Sequence, residues 1–161
     1  VLGRRLAPDA NGSLRISYGT VKAMASAPDE PAASPFTVAS ELFDRDTGLD
    51  PFRVPRKLLS AIASRTYGPY ADSELGGELP INFLSDLDTT GGSSGSPVLD
   101  RRGELVGLAF DSTLEGAPDI VFDPATARTI SVDIRYLIWT LDLLDGGDRL
   151  IEEMGLKPRL P

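Results

Sequence analysis

The sequence has no histidine and no cysteine in its 161 residues. The missing cysteine excludes disulfides, thiolate metal sites and cysteine nucleophiles. The missing histidine removes the side chain that most often serves as a general base near neutral pH. No run of 18 or more apolar residues is present, so no segment reads as a membrane-spanning helix. Basic residues are scarce beside acidic ones, 16 against 24, and the net charge of -8 argues against nucleic acid or an anionic membrane surface as a partner. Only three lysines occur, Lys22, Lys57 and Lys157, and none lies in a pattern resembling a Ser–Lys dyad. No metal-ligand spacing emerges: Asp72, Glu74 and Glu78 lack the EF-hand pattern, and the stretch 72–78 reads as a solvated acidic loop. No cofactor or metal is expected.

What is present is one unusual stretch, Asp88-Thr89-Thr90-Gly91-Gly92-Ser93-Ser94-Gly95-Ser96-Pro97-Val98. Six consecutive Gly or Ser residues, 91–96, have almost nothing apolar to bury, so they form neither a helix nor a core strand. They predict a tight loop feeding a strand at Val98. Glycines let successive backbone N–H groups converge on one point, and a serine beside them can present its hydroxyl there. A nucleophile next to donors for the oxyanion it creates is the requirement of acyl transfer. The order Gly92-x-Ser94-Gly95-x-Pro97, then strand 97–99, a polar turn at 100–103 and strand 105–110, resembles the surroundings of the nucleophile in chymotrypsin-like serine proteases.

The rest of the chain predicts a mainly β protein with helices. Leu14 to Ala25 alternates as a bent strand or hairpin, and Ala27 to Pro35 is a proline-rich loop. Thr37 is placed to cap a helix over 38–45, and a second helix is expected over 54–65, with Pro55 in its first turn and Leu58, Leu59 and Ile62 on one face. Strands are expected at 79–84, 120–122 and 128–132. An amphipathic helix is expected over 133–144, with Ile134, Leu137, Ile138, Leu141 and Leu144 as its stripe, and a short one over 148–154. Trp139, Tyr67, Tyr70 and Phe52 read as packing residues rather than a binding surface.

With these segments assigned, the sequence resembles the C-terminal part of the bacterial dipeptidyl-peptidase 7 and 11 family of serine exopeptidases. The resembling stretches are 14–22, 35–37, 54–59, 79–84, 88–98, 103–111 and 128–136, which together span most of the chain. The resemblance implies the second β-barrel of a chymotrypsin-like double barrel, with a helical insertion and C-terminal helices. Residues 1–161 would form a single domain, the C-terminal half of a catalytic domain. Activity would be the release of dipeptides from free N-termini, and the parent protein would be exported to the periplasm or secreted. The family's catalytic His and Asp lie on the first barrel, so the partners implied are a peptide substrate and the N-terminal barrel and helical domain of the parent chain. A homodimer stays open. A chain that opens with Val1 reads as an excised piece and is expected to be inactive alone.

Residue by residue, the resemblance puts Ser94 in the nucleophile position and makes the N–H groups of Gly92 and Ser94 the oxyanion hole. Ser93 stands where the family usually has Asn. Asp111 takes the position that binds the substrate's free amine. Ser112 takes the position that sets the specificity pocket, where Gly accompanies apolar and Arg acidic preference; Ser supplies no cation, so small or apolar side chains are expected. Leu114 replaces a common Trp. Asp88, six residues before Ser94, stands where trypsin-like enzymes keep an Asp for basic substrates, but the family gives it no such role. Two other readings stand beside this one. Glutamyl endopeptidases of the staphylococcal type share the loop, but place a glutamate-recognising His where this chain has Ala109. The third reading is a non-catalytic barrel that binds peptides or partners.

Overall fold

A computed structural model describes residues 14–24, 33–113, 127–143 and 146–160. The chain divides into two compact units. One comprises residues 1–36 and 82–132, the other residues 37–81 and 133–161. The expected strand at 120–122, the turn after it, Leu114 and most of the proline-rich loop lie outside the described residues.

Nine regular elements are described: β1 (Phe36–Val38), α1 (Ala39–Arg45), α2 (Arg56–Ala63), β2 (Pro80–Ser85), β3 (Pro97–Leu99), β4 (Leu105–Ser112), β5 (Thr129–Asp133), α3 (Ile134–Leu143) and α4 (Gly147–Glu153). Two short 3-10 turns, Gly68–Tyr70 and Ser73–Leu75, lie between α2 and β2. The strands form one five-stranded sheet in the order β1-β2-β5-β4-β3. β2 runs antiparallel to β5, with Phe83 opposite Ser131 and Ser85 opposite Thr129. β3 runs antiparallel to β4, with a bulge between Val98 and Leu99.

The expected closed barrel is therefore corrected to an open sheet. Closure requires the two edges to pair. Here the edges are three-residue strands, β1 and β3, separated by the three central strands. The expected strand at 14–25 does not form in the described part, 14–24, which makes a single antiparallel bridge, Val21 to Ser85. Two backbone bonds, Lys22 N–H to Leu84 O (2.9 Å) and Asp86 N–H to Thr20 O (3.1 Å), tie this segment to the end of β2. The alternation of Leu14, Ile16 and Tyr18 has no buried face to serve, since all three are exposed.

The helical unit holds the larger apolar core. Leu58, Ala61 and Ile62 of α2 pack with Tyr67, Tyr70, Leu79, Ile81 and Trp139. Trp139 is fully buried and its indole N–H reaches the carbonyl of Thr66 at 2.8 Å, so the wide stripe of α3 is anchored by a satisfied aromatic. α1 starts one residue later than expected and Thr37 belongs to β1; the Glu41 carboxylate instead accepts the Val38 N–H at 3.1 Å. The acidic 72–78 loop is not merely solvated. Asp72 and Asp133 both pair with Arg135, at 2.7 and 2.8 Å, and Glu78 pairs with Arg65. The Arg135 bond is the main cause that holds the Asp72 carboxyl below its ordinary value, with the Glu74 N–H adding to it.

The sheet unit is more polar inside. β5 alternates inward and outward, and its buried positions in this unit are Thr129 and Ser131. Gly107 on β4 is where the sheet has no room for a side chain: an added Cβ would lie 2.6 Å from the Val132 carbonyl oxygen and 2.7 Å from the Phe83 ring.

Candidate active site

The loop between β2 and β3 is built from two successive tight turns. Ser93 N–H donates to Thr90 O at 3.0 Å, and Ser96 N–H donates to Ser93 O at 3.0 Å. Each turn has a glycine as its third residue, Gly92 with φ +91° and Gly95 with φ +81°. Only glycine takes that conformation without steric cost, as type II turns require. The run of small residues is thus explained by backbone geometry: Gly-x-Ser-Gly bends the chain twice and leaves Ser94 at the outer corner of the second turn.

The loop is fastened to β4. Gly95 N–H donates to Ala109 O at 2.7 Å and Ala109 N–H to Ser96 O at 3.0 Å. The Ser94 hydroxyl is exposed and makes a long hydrogen bond, 3.4 Å, to the carbonyl of Phe110. Among the described residues, the N–H groups of Gly92 and Ser94 have no acceptor. They are the two donors expected to serve an oxyanion.

A cleft of about 160 Å³ is lined by Thr89, Thr90, Gly91, Ser93, Ser94 and the β4 residues Ala109 to Ser112. Of the site residues expected from sequence, it brings together Ser94, Asp111 and Ser112. Gly92 is not in its lining but forms the turn two residues before Ser94. The Asp111 carboxylate is exposed and accepts the Ser112 N–H at 2.8 Å, which leaves its second oxygen for a ligand. β4 extends two residues beyond the expected 105–110, so Asp111 and Ser112 both lie on it. Asp88 does not line the cleft; its carbonyl accepts the Ser17 hydroxyl at 2.6 Å.

Sequence reasoning missed the residues behind the loop. The Thr129 hydroxyl donates to Leu87 O at 2.8 Å and lies 2.5 Å from the Thr89 hydroxyl. A threonine on a strand carries no sequence signal that marks it as inward-facing and bonded to a loop. Asp86 was missed as well. It accepts the Thr20 N–H at 2.6 Å and lies 4.0 Å from Lys22 Nζ. These bonds, the Thr20 N–H first, hold its carboxyl below its ordinary value.

Chemically the cleft offers a hydroxyl, two nearby N–H donors and a carboxylate, but among its lining residues no imidazole or amine to take the hydroxyl's proton. The sequence contains no imidazole, and Lys22, the lysine of this unit, faces Asp86. Ala109, where a glutamate-recognising His would stand, is a buried strand residue with 4% exposure.

The family model of peptidase S46 matches residues 1–156. The chain is 43% identical to an Asp/Glu-specific dipeptidyl-peptidase of Shewanella putrefaciens, over 92% of this chain and 23% of the relative. It is 42% identical to dipeptidyl-peptidase 7 of Porphyromonas gingivalis, over 96% of this chain and 21% of the relative. A crystal structure of Porphyromonas endodontalis DPP11 in complex with substrate superposes with a TM-score of 0.81 at 38% identity, over 94% of this chain and 22% of that one. The chain thus spans about a fifth of the length of these relatives. A family match over residues 1–156, with 42–43% identity to dipeptidyl-peptidases over more than nine-tenths of this sequence, makes the chain a member of the peptidase S46 family of serine exopeptidases.

Proposed function

We propose that this chain is the serine-bearing part of a serine dipeptidyl-peptidase, the C-terminal half of its catalytic domain, and that the whole protein releases dipeptides from the free N-termini of peptides. The observation that carries the reading is the single cleft shared by Ser94, Asp111 and Ser112. Ser94 Oγ attacks the carbonyl carbon of the second substrate residue, and its proton passes to a base. The tetrahedral oxyanion is held by the N–H groups of Gly92 and Ser94. The C–N bond then breaks, the amine leaves with a proton returned by the base, and water hydrolyses the acyl-enzyme to free the dipeptide. The base belongs to another part of the parent protein, because this sequence has no histidine.

Asp111 gives the reaction its ruler. Its carboxylate binds the substrate's terminal ammonium by a charge-assisted bond, so the scissile bond is counted from the free amine. Ser112 beside it supplies a small polar wall with no cation, which favours small or apolar substrate side chains. An exported or periplasmic enzyme that feeds on peptides fits the family. A glutamyl endopeptidase is disfavoured by Ala109, and a non-catalytic binding barrel by the two-turn loop that presents Ser94.

The test is mass spectrometry of products formed by the full-length protein from one peptide, with its N-terminus free or acetylated. Stepwise loss of dipeptides from the free form alone supports the reading. Internal cleavage of both forms supports an endopeptidase instead.

A further inference from the structure

We infer that Thr129 is a positioning residue for the Ser94 loop, acting from the buried side of β5 without touching substrate. This role rests on the proposal that Ser94 is the nucleophile. Thr129 is fully buried. A threonine hydroxyl has one hydrogen to give. Thr129 gives it to Leu87 O at 2.8 Å, so the Thr89 hydroxyl must donate to Thr129 Oγ1 across the 2.5 Å between them. The relay therefore has a direction: Thr89 to Thr129 to Leu87. It clamps both sides of Asp88, at the point where β2 gives way to the loop.

The two turns of the loop are built on that clamp. Thr90 is the next residue, and its carbonyl and N–H both engage Ser93, at 3.0 Å to the N–H and 3.3 Å to the hydroxyl. Ser93 O in turn closes the second turn on Ser96. Ser94 lies inside that second turn, and Gly92 inside the first. A displacement at Thr89 therefore passes through two hydrogen-bonded turns to the hydroxyl and to both oxyanion donors. The other end of the loop is fixed independently on β4 by Gly95 and Ser96. Loss of the Thr129 clamp would loosen one arm, still held by the Ser17 bond to Asp88 O, and leave the other fixed, which changes the geometry of the site more than its presence.

Thr129→Val keeps the shape and the β-branched fit of the strand while removing both ends of the relay. In the full-length protein, kcat on a dipeptidyl aminocoumarin amide should fall about tenfold to a hundredfold, as misplacements of an ångström or less do, with KM within about threefold. Hydrogen exchange at the Ser93 and Ser96 amides should quicken about tenfold, one unit of log protection. Thr129→Ser, which restores the hydroxyl, should return kcat to within about threefold of the parent. An unchanged kcat and unchanged exchange in Thr129→Val overturn the inference, as does a Ser variant no better than Val. If Thr129→Val does not fold, Thr89→Val breaks the relay from its half-exposed end and is read by the same two measurements. Ser94→Ala separates the two ideas. Turnover that survives it sinks the nucleophile reading alone, while the exchange rates still decide whether Thr129 holds the loop.

Discussion

The Ser94 hydroxyl lies 3.4 Å from the carbonyl oxygen of Phe110, the residue immediately before Asp111 on β4. The loop hydroxyl and the β4 carboxylate are thereby set on one short stretch of a common scaffold. The bond is long and its acceptor is a backbone carbonyl, so it parks the hydroxyl without activating it. Under the proposed function, this spacing would set cleavage at a fixed distance from a free amine, because both ends of the measured segment are held by the same strand.

Replacing Asp111 with Asn in the full-length protein should remove the charge-assisted bond to the substrate ammonium. Hydrogen bonds to charged groups contribute about 1.5–3 kcal/mol, so kcat/KM for free-amine dipeptidyl substrates should fall roughly tenfold to a hundredfold. Steady-state kinetics on free and acetylated substrates would check this. A uniform loss, with no change in their ratio, would leave Asp111 without its assigned role.

Gly107→Ala should destabilise the sheet unit. The new methyl meets the Val132 carbonyl oxygen at 2.6 Å and Phe83 at 2.7 Å, and neither backbone nor a strand-bound ring can retreat cheaply. Overpacking of this kind costs about 1–3 kcal/mol. Thermal denaturation should show a midpoint lower by several degrees, of order 2–4 °C per kcal/mol. An unchanged midpoint would mean that β4 and β5 have slack enough to take up a methyl group.

Asp86 sets an acid sensitivity at the root of the Ser94 loop. Its folded pKa is depressed, first by the Thr20 N–H. The stabilisation is therefore present in full above the ordinary Asp value, about 3.9, and is lost as pH falls through the folded value. Asp86→Asn should flatten that part of the stability–pH curve and leave the neutral-pH side lower than in the parent. Chemical denaturation at a series of pH values from 7 downward measures it. Parallel curves for the two proteins would assign the acid response elsewhere, Asp72 and Asp100 being further groups with depressed values.

Much of the site was legible because its chemistry is local in sequence. The Gly–Ser run announced a loop, and its glycines sit at the two turn positions that need positive φ. Asp111 and Ser112 came from resemblance and share the cleft with Ser94. The helices were legible from apolar spacing, to within one or two residues for most ends, because α2 and α3 each bury a face against Tyr67, Tyr70 and Leu79. Closure of the sheet was not legible. Whether Leu14, Ile16 and Tyr18 make a strand depends on a partner edge and not on their alternation, and in the structure they bury nothing. The hydroxyl relay was hidden for a related reason. Thr129 and Leu87 are 42 residues apart, and only the register of β5 on β2 turns that threonine toward the loop.

Ser94 is proposed as the nucleophile of a dipeptidyl-peptidase whose base is supplied from outside this sequence. Fluorophosphonate treatment of the full-length protein and of the isolated 161-residue chain, each then mapped by peptide mass, tests it most directly. The expected result is an adduct on Ser94 in the full-length protein, accompanied by loss of dipeptide release, and neither labelling nor turnover in the isolated chain. An adduct on another serine, or dipeptide release that survives Ser94→Ala, would contradict it.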